Sequence, residues 1–413
     1  MNQKKHSRAL SAVRQDGLSI QNIREQSVEI SLAAVEQNGH ALLYVHDQTA
    51  EICQTAINNN PLAIQYVRDQ LPELCLAAVK KDGSALKYIR EPTFEVCLEA
   101  VKQDGNALEY VREYNLHVCL AAVDQKGCAL QYVGEQHPEI CMKAVQQDGL
   151  ALRYLEDENQ NVAICLAAVQ QNGDALQHVN KQYPEICLKA VENHGTALRY
   201  VDDQTDEICL AAVQQNGLAL QYVVNQTDEI CLAACKNNGM ALVDTIIQNK
   251  EICLAAVTDR GEALRFVIEQ TDRICLAAVQ QNGLMLSDVV TQTAEICRTA
   301  VMQNQRSLVD VVNQTKEICE LAVTQDSSAL LHIHEQTNDI CLTAVRLSGQ
   351  ALQYVRRQTV DICMAAVRQD GRALKYVLDQ TEEVCIAAVK QNKEALRFVR
   401  GKENYLVCAS ILD

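Results

Sequence analysis

Tryptophan is absent, proline occurs five times, and no apolar run approaches the ~18 residues needed to cross a bilayer as a helix. The first residues, "MNQKKHSRALSAV", lack the ~7–15-residue apolar core of a secretory leader. A cytoplasmic chain with no membrane partner is therefore expected. Also missing are a phosphate-binding G-x-x-x-x-G-K-[ST] loop, a G-x-S-x-G elbow and an H-E-x-x-H zinc motif, and the nine His are scattered. These absences speak against an enzyme, and no residue is assigned a catalytic, cofactor-binding or metal-binding role. There is no basic excess either. A net charge of −16 argues against a general nucleic-acid or anionic-membrane surface. What is present is apolar side chain, at 48% of the sequence, enough for a continuous core and too much for a disordered chain.

The apolar residues recur with a period of 22. One column runs Ser31, Cys53, Cys75, Cys97, Cys119 and Cys141, resumes at Cys165 and continues to Cys385, with Cys408 last. Two insertions shift the register, in "EDENQNV" (156–162) and near Gly401. Each unit reads as two short helices. The first follows an N-cap side chain such as Ser27, Thr49, Thr93 or Asn115, or a Pro at the first helical position after Leu71, His137 and Tyr183. Glu51, Glu207, Glu229 and Glu295 then face the positive end of the helix dipole. Asn-Gly or Asp-Gly ends it, and the spacing predicts a left-handed glycine just past the helix at Gly39, Gly83, Gly217 and their equivalents; Pro61, Gln305, Ser327 and Lys393 replace it. The second helix, "x-A-L-x-Y-V", has two turns, with Ala219, Leu220 and Val223 on one side.

Neither helix is long enough to stand alone, so stacking on the next unit must bury them. The expected fold is all-α, an α-solenoid of about eighteen two-helix units, uniformly curved and continuous as one domain over residues 1–413. A β-horseshoe is excluded because no unit carries L-x-x-L-x-L-x-x-N. "MNQKKHSR" has the polarity of a starting cap. "NYLVCASILD" begins another first helix, which implies packing by its own terminus or self-association through this half-unit.

"LAAVQQNGLALQYV" (210–223) and "IAAVKQN" (386–392) resemble a bacterial and giant-virus repeat family, domain of unknown function 4116, whose units carry a core similar to "LAAVKQNGxALxYA". The likeness covers nearly the whole chain, although the units here are shorter and carry Cys where that family has an aliphatic residue. The resemblance implies a helical repeat with a binding role, in effector-type proteins of intracellular bacteria directed at a host protein. At the level of architecture the short helices also look like leucine-rich repeat variant proteins.

Three columns invite chemistry. Seventeen of nineteen Cys share one position; stacked helices ~8–10 Å apart hold them too far apart for disulfides, whose Cα atoms lie within about 7 Å, so buried packing is expected. Cys231 and Cys235, at i and i+4, are the pair that invites redox or soft-metal chemistry. An Ala column (Ala34, Ala56, Ala78 and onward, Ala212 among them) implies close helix approach. The Tyr ladder, from Tyr44 and Tyr66 to Tyr354 and Tyr376, has the register of a base-stacking surface. Arg24, Arg68, Arg90 and Arg112 beyond it are each followed by an acid, which predicts self-neutralised charge. Tyr at helical spacing also marks a core edge.

The pattern breaks between residues 244 and 334. The Tyr column becomes Asp244, Phe266, Asp288, Asp310 and His332, and the polar column two residues on becomes Val224, Ile246, Ile268, Val290 and Val312. Arg298 and Glu320 replace the first-helix Leu. Two readings stand: the second helix has rotated and exchanged buried columns while Arg298 pairs with Glu320, or these residues form a partner-binding patch with aliphatic area and polar specificity. Asp288, Asp310 and His332 as metal ligands are disfavoured, being one per unit. The function expected is recognition of a protein or peptide, with a nucleic-acid array or a rigid spacer as the alternatives.

Overall fold

A computed structural model describes residues 3–113 and 115–410. Met1 and Asn2 of the expected cap and residues 411–413 of the terminal half-unit lie outside them. The chain forms two compact units, residues 1–215 and 216–413. In both, α-helices of mostly ten residues alternate with 3₁₀ helices of six, and the described residues contain no β-strand. The described residues hold eighteen such pairs and a nineteenth α-helix, Lys402–Ser410, and within each unit successive pairs stack in a solenoid-like way. The acidic insertion adds one 3₁₀ turn, Asp157–Asn159. Among the described residues, no helix is long and apolar enough to cross a membrane.

One residue per unit makes the corner. In the first unit, Asn172 leaves the helix Val162–Gln171 in an extended conformation (φ −148°, ψ 113°). Its N–H donates to the Ala168 carbonyl at 2.8 Å, closing that helix, and its Oδ1 accepts the Asp174 N–H at 3.0 Å, opening the next. With only six residues the second segment, Gly173–His178, winds as a 3₁₀ helix rather than the expected α-helix. Three residues per turn put Gly173, Leu176 and Val179 on one side, where all three are buried. They meet Ile186, Cys187, Ala190 and Val191 of the following helix, Pro184–Asn193.

The recurrent glycines are not left-handed helix stops. Among the described residues only Gly401, at the one-residue insertion, has positive φ (87°). Glycine is needed for space. A Cβ on Gly173 would sit 2.5 Å from the Ala190 carbonyl oxygen and 2.8 Å from the His194 Cβ, and Gly39, Gly105 and Gly217 face the same obstacle at 2.5–2.6 Å. The expected Ala column is thus the other half of a contact in which a backbone carbonyl meets a bare Cα. Within each unit, the helix pairs that share the least contact are those where Pro61, Gln305, Ser327 and Lys393 stand in place of glycine.

Two side-chain amides fasten most turns to the next. At one edge, Asn193 Oδ1 accepts the Gly173 N–H at 3.0 Å while its Nδ2 donates to the Gln170 carbonyl at 2.9 Å. At the other, the glutamine that precedes most N-caps reaches forward: Gln182 Nε2 donates to the Tyr200 carbonyl at 2.7 Å, and its Oε1 accepts the Asp202 N–H at 3.1 Å. In the second unit Gln248, Gln270, Gln292 and Gln314 do the same.

This second staple accounts for Cys in the turns that carry the glutamine. The thiol five residues on lies under the staple oxygen, as with Cys231 on Gln226 Oε1 at 3.3 Å, Cys297 on Gln292 at 3.5 Å and Cys363 on Gln358 at 3.5 Å. A small apolar side chain with a weak donor fits that place; an aliphatic one leaves the oxygen a partner short. All nineteen thiols are free, and all but Cys128 are buried. Burial pushes Cys231 up and Cys235 up to about 12, so the pair is inert rather than reactive at neutral pH. Titration of the folded protein with a thiol reagent at pH 8 is expected to modify Cys128 alone within minutes, and the buried thiols only on unfolding. Rapid modification of many thiols in the folded state would contradict the packing described.

Candidate functional site

The break in the pattern lies within the second unit. Each 3₁₀ helix there ends on an extended residue, for example Val267 (φ −74°, ψ 120°) and Val289 (φ −78°, ψ 118°). Extended backbone sends consecutive side chains to opposite sides. Val223, Val267, Val289, Val311 and Ile333 therefore point into the core, and the next residue in each turn points out. The outward residues are Val224, Ile246, Ile268, Val290 and Val312, at 74, 77, 81, 82 and 71% exposure. The rotation reading fails on these values: the inner column is still buried except at the half-buried Thr245, and the aliphatic column has been added outside it.

The glutamine staples fix this ridge from beneath. Ile246, Ile268, Val290 and Val312 each donate their N–H to the staple of the preceding turn, Gln226, Gln248, Gln270 and Gln292, at 2.9–3.1 Å. Sequence reasoning missed these glutamines. Their signal is present in the sequence as a Gln at the same offset before most N-caps.

Beside the ridge, the former Tyr column supplies carboxylates. Asp244 is half-buried, which raises its pKa above the usual carboxylate range. Asp288 lies 3.8 Å from Arg265, Phe266 is half-buried and His332 is exposed. A groove between Ile246 and Ile268 is floored by Gln248 and Cys253, and a second runs between Ile268 and Val290. Arg298 and Glu320 line neither groove. Nor do they pair with each other: Glu320 lies 3.7 Å from Lys316, one turn earlier on its own helix, and Lys316 also meets Asp339 at 2.9 Å. The nearer lysine takes the carboxylate that the sequence pattern assigned to Arg298. Among the described residues, no group of three or more His, Cys, Asp or Glu is placed to hold a metal ion.

The column that carries the ridge holds Arg68, Arg90 and Arg112 in the first unit, and their guanidinium groups reach backbone oxygens. The Arg68 guanidinium donates to the His46 and Val45 carbonyls at 2.7 and 3.1 Å, and that of Arg90 to Val67 and Arg68 at 2.7 and 2.9 Å. They cap backbone oxygens of the preceding turn. The Tyr ladder is partly covered as well: Arg153, Arg199 and Lys375 sit 4.5–4.6 Å from the ring centroids of Tyr154, Tyr200 and Tyr376. A stacking base would have to displace them.

Comparison with known proteins fits the repeat and passes over the ridge from Ile246 onward. Residues 72–116, 115–160, 161–205, 183–225, 205–244, 337–381 and 360–403 match the family described as domain of unknown function (DUF4116), and none of these stretches includes 245–336. No curated protein matches the chain. With more than half of its length matched in successive copies, the chain belongs to the domain of unknown function (DUF4116) family.

Proposed function

We propose that the protein is a non-enzymatic repeat scaffold that binds a protein partner along the ridge of its second unit. The observation that carries this reading is five aliphatic side chains, each more than two-thirds exposed, repeated in register along one edge. Scattered exposed apolar residues are ordinary, whereas a contiguous file of them is a feature of interaction surfaces. Asp244, Asp288, Asp310 and His332 beside it supply the polar specificity. Arg298 and Glu320 belong to the outer face of the helices and contribute at most to a rim. The effector-type resemblance directs the search for the partner to host-cell proteins.

The test compares the intact protein with Val290→Lys/Val312→Lys in recovery of partners from host lysate. Both side chains point into solvent, so the variant is expected to melt within about 1 kcal/mol of the parent. Partner recovery is expected to fall at least tenfold. Equal recovery removes the ridge as the binding surface.

A further inference from the structure

We infer that the junction between turns at Pro92, in the first unit, is a binding site for a primary carboxamide carried on a short apolar stem. It is separate from the ridge and does not depend on it.

The site begins with a break in the staple column. From Gln26 to Gln380 that column is glutamine in every turn but two, which hold Pro92 and Tyr114. At the preceding junction Gln70 Nε2 donates to the Tyr88 carbonyl at 2.9 Å, and its Oε1 accepts the Arg90 N–H at 2.9 Å. Pro92 has no side-chain group that can do either. The backbone it would have met is nonetheless built the same way: the 3₁₀ helix Gly105–Tyr110 ends on extended Val111 (φ −79°, ψ 120°), as Gly83–Tyr88 ends on Ile89 (φ −88°, ψ 122°). The Tyr110 carbonyl and the Arg112 N–H thus keep the arrangement that holds an amide elsewhere, and neither meets a hydrogen-bond partner among the described residues.

A cavity of about 350 Å³ lies at this junction, within the size range of small-ligand sites. The grooves along the same edge at Gln160 and Gln248 are lined by the glutamine and stop short of the inner Val179 and Val267. At Pro92 the cavity extends to Val111, which is half-buried where Val67, Ile89 and Val133 are buried. Its other polar side chains do not take over the staple. Asn115 caps its own helix by accepting the His117 and Val118 N–H groups, and the Arg90 and Arg112 guanidinium groups donate to carbonyls one turn back. Glu91 and Glu113 line the cavity with these two arginines, so the charges balance and a neutral ligand is favoured.

The exposed pair selects the ligand's chemistry. An acceptor and a donor two residues apart, bridged at the other junctions by one amide, call for a donor and an acceptor on a single carbon. A primary carboxamide has both, whereas a carboxylate only accepts. A trans peptide bond directs its N–H and C=O to opposite sides and cannot reach the two groups together. Val111 inside the cavity and the exposed Phe94 beside it supply the apolar surface for the stem.

The probes are acetyl-Ala-Gln-Ala-N-methylamide, its Glu and Met counterparts, and the small molecules propionamide and uracil, whose ring edge carries a similar donor and acceptor. Binding to the full chain is followed by ligand-observed NMR. The Gln peptide is expected to bind, and the Glu and Met peptides to bind at least about tenfold more weakly, as two unmade hydrogen bonds require. Pro92→Gln supplies the amide from within the chain; it is expected to melt above the parent and to lose the peptide by a similar factor, while Pro92→Ala, which leaves the pair unmatched, retains it. Propionamide binding as tightly as the peptide assigns a free small molecule as the source of the carboxamide; tighter binding of the peptide assigns a glutamine side chain of a partner. Equal binding of the Gln and Met peptides, preference for uracil, no binding of any carboxamide, or a Pro92→Gln variant that melts no higher or binds as the parent does overturns the inference. None of these readouts involves Val290 or Val312, so the ridge stands or falls by its own test.

Discussion

Replacing Gly173 with Ala is expected to lower stability by about 1–3 kcal/mol, in the range of overpacked cores, while Gly134→Ala is neutral or stabilising by up to about 1 kcal/mol. Both glycines have negative φ, so Ala is conformationally permitted at each and reduces the entropy of the unfolded chain. That effect alone would stabilise both variants. At Gly134 nothing lies within 4 Å of the added Cβ, so it acts unopposed. At Gly173 the methyl meets a carbonyl oxygen at 2.5 Å and the His194 Cβ at 2.8 Å, all of it backbone or side-chain root that cannot swing aside. The turns must separate, and the Gly173 N–H loses its short reach to Asn193. Chemical denaturation of the two variants reads the difference directly. A stabilised Gly173→Ala would mean that the turns are not held at this distance, and the close-contact account of the glycines would fail.

The glycines also show where the sequence was legible and where it was not. Period, N-caps and buried columns depend on local chemistry and on a repeat visible in one dimension. Thr49, Thr93 and Thr227 cap as read, with their hydroxyls accepting the N–H three residues on, and the Cys column is packing. Glycine, in contrast, answers two demands with the same letter, freedom of φ and absence of volume, and its place after Asn or Asp suggested the first. Only the neighbouring turn, absent from any single repeat, shows that the second applies. The same holds for Arg68 and Arg90, whose carbonyl partners lie 22 or 23 residues back, outside the local charge pattern. The aliphatic column was visible as a departure, but its burial was not, because two extended residues in succession carry apolar side chains to opposite sides.

The ridge and the stack are mechanically linked through the staples, so a change to one must reach the other. Gln248 connects the Phe266 carbonyl (2.9 Å), the Ile268 N–H (3.1 Å) and the Cys253 thiol (3.7 Å). Removing it in Gln248→Ala strips partners from all three at one interface. Two lost hydrogen bonds, one of which leaves the half-buried Phe266 carbonyl short of a partner, are expected to cost about 2 kcal/mol. In a linear array that loss falls on a single junction between turns. Ile268, no longer held by its N–H, should lose its fixed place on the ridge, so partner affinity should fall in this variant although the residue lies beneath the binding edge.

Gln248→Glu separates the two halves of the staple. Its carboxylate keeps an acceptor for the Ile268 N–H but turns a second oxygen toward the Phe266 carbonyl. Protonation supplies the missing donor, so the folded state favours the protonated carboxyl and its pKa is raised relative to the unfolded chain. Stability of this variant is then expected to increase as pH falls toward and below the ordinary Glu value, and to be lost as pH rises through the raised one. Native carboxylates with N–H partners behave oppositely: Asp326, held low chiefly by the Ser328 backbone N–H, contributes stability that disappears on acidification. Denaturant midpoints of Gln248→Glu relative to the parent between pH 4 and 8 measure the sign. A gap that stays constant or widens toward acid would show that the amide nitrogen does not hold the next turn.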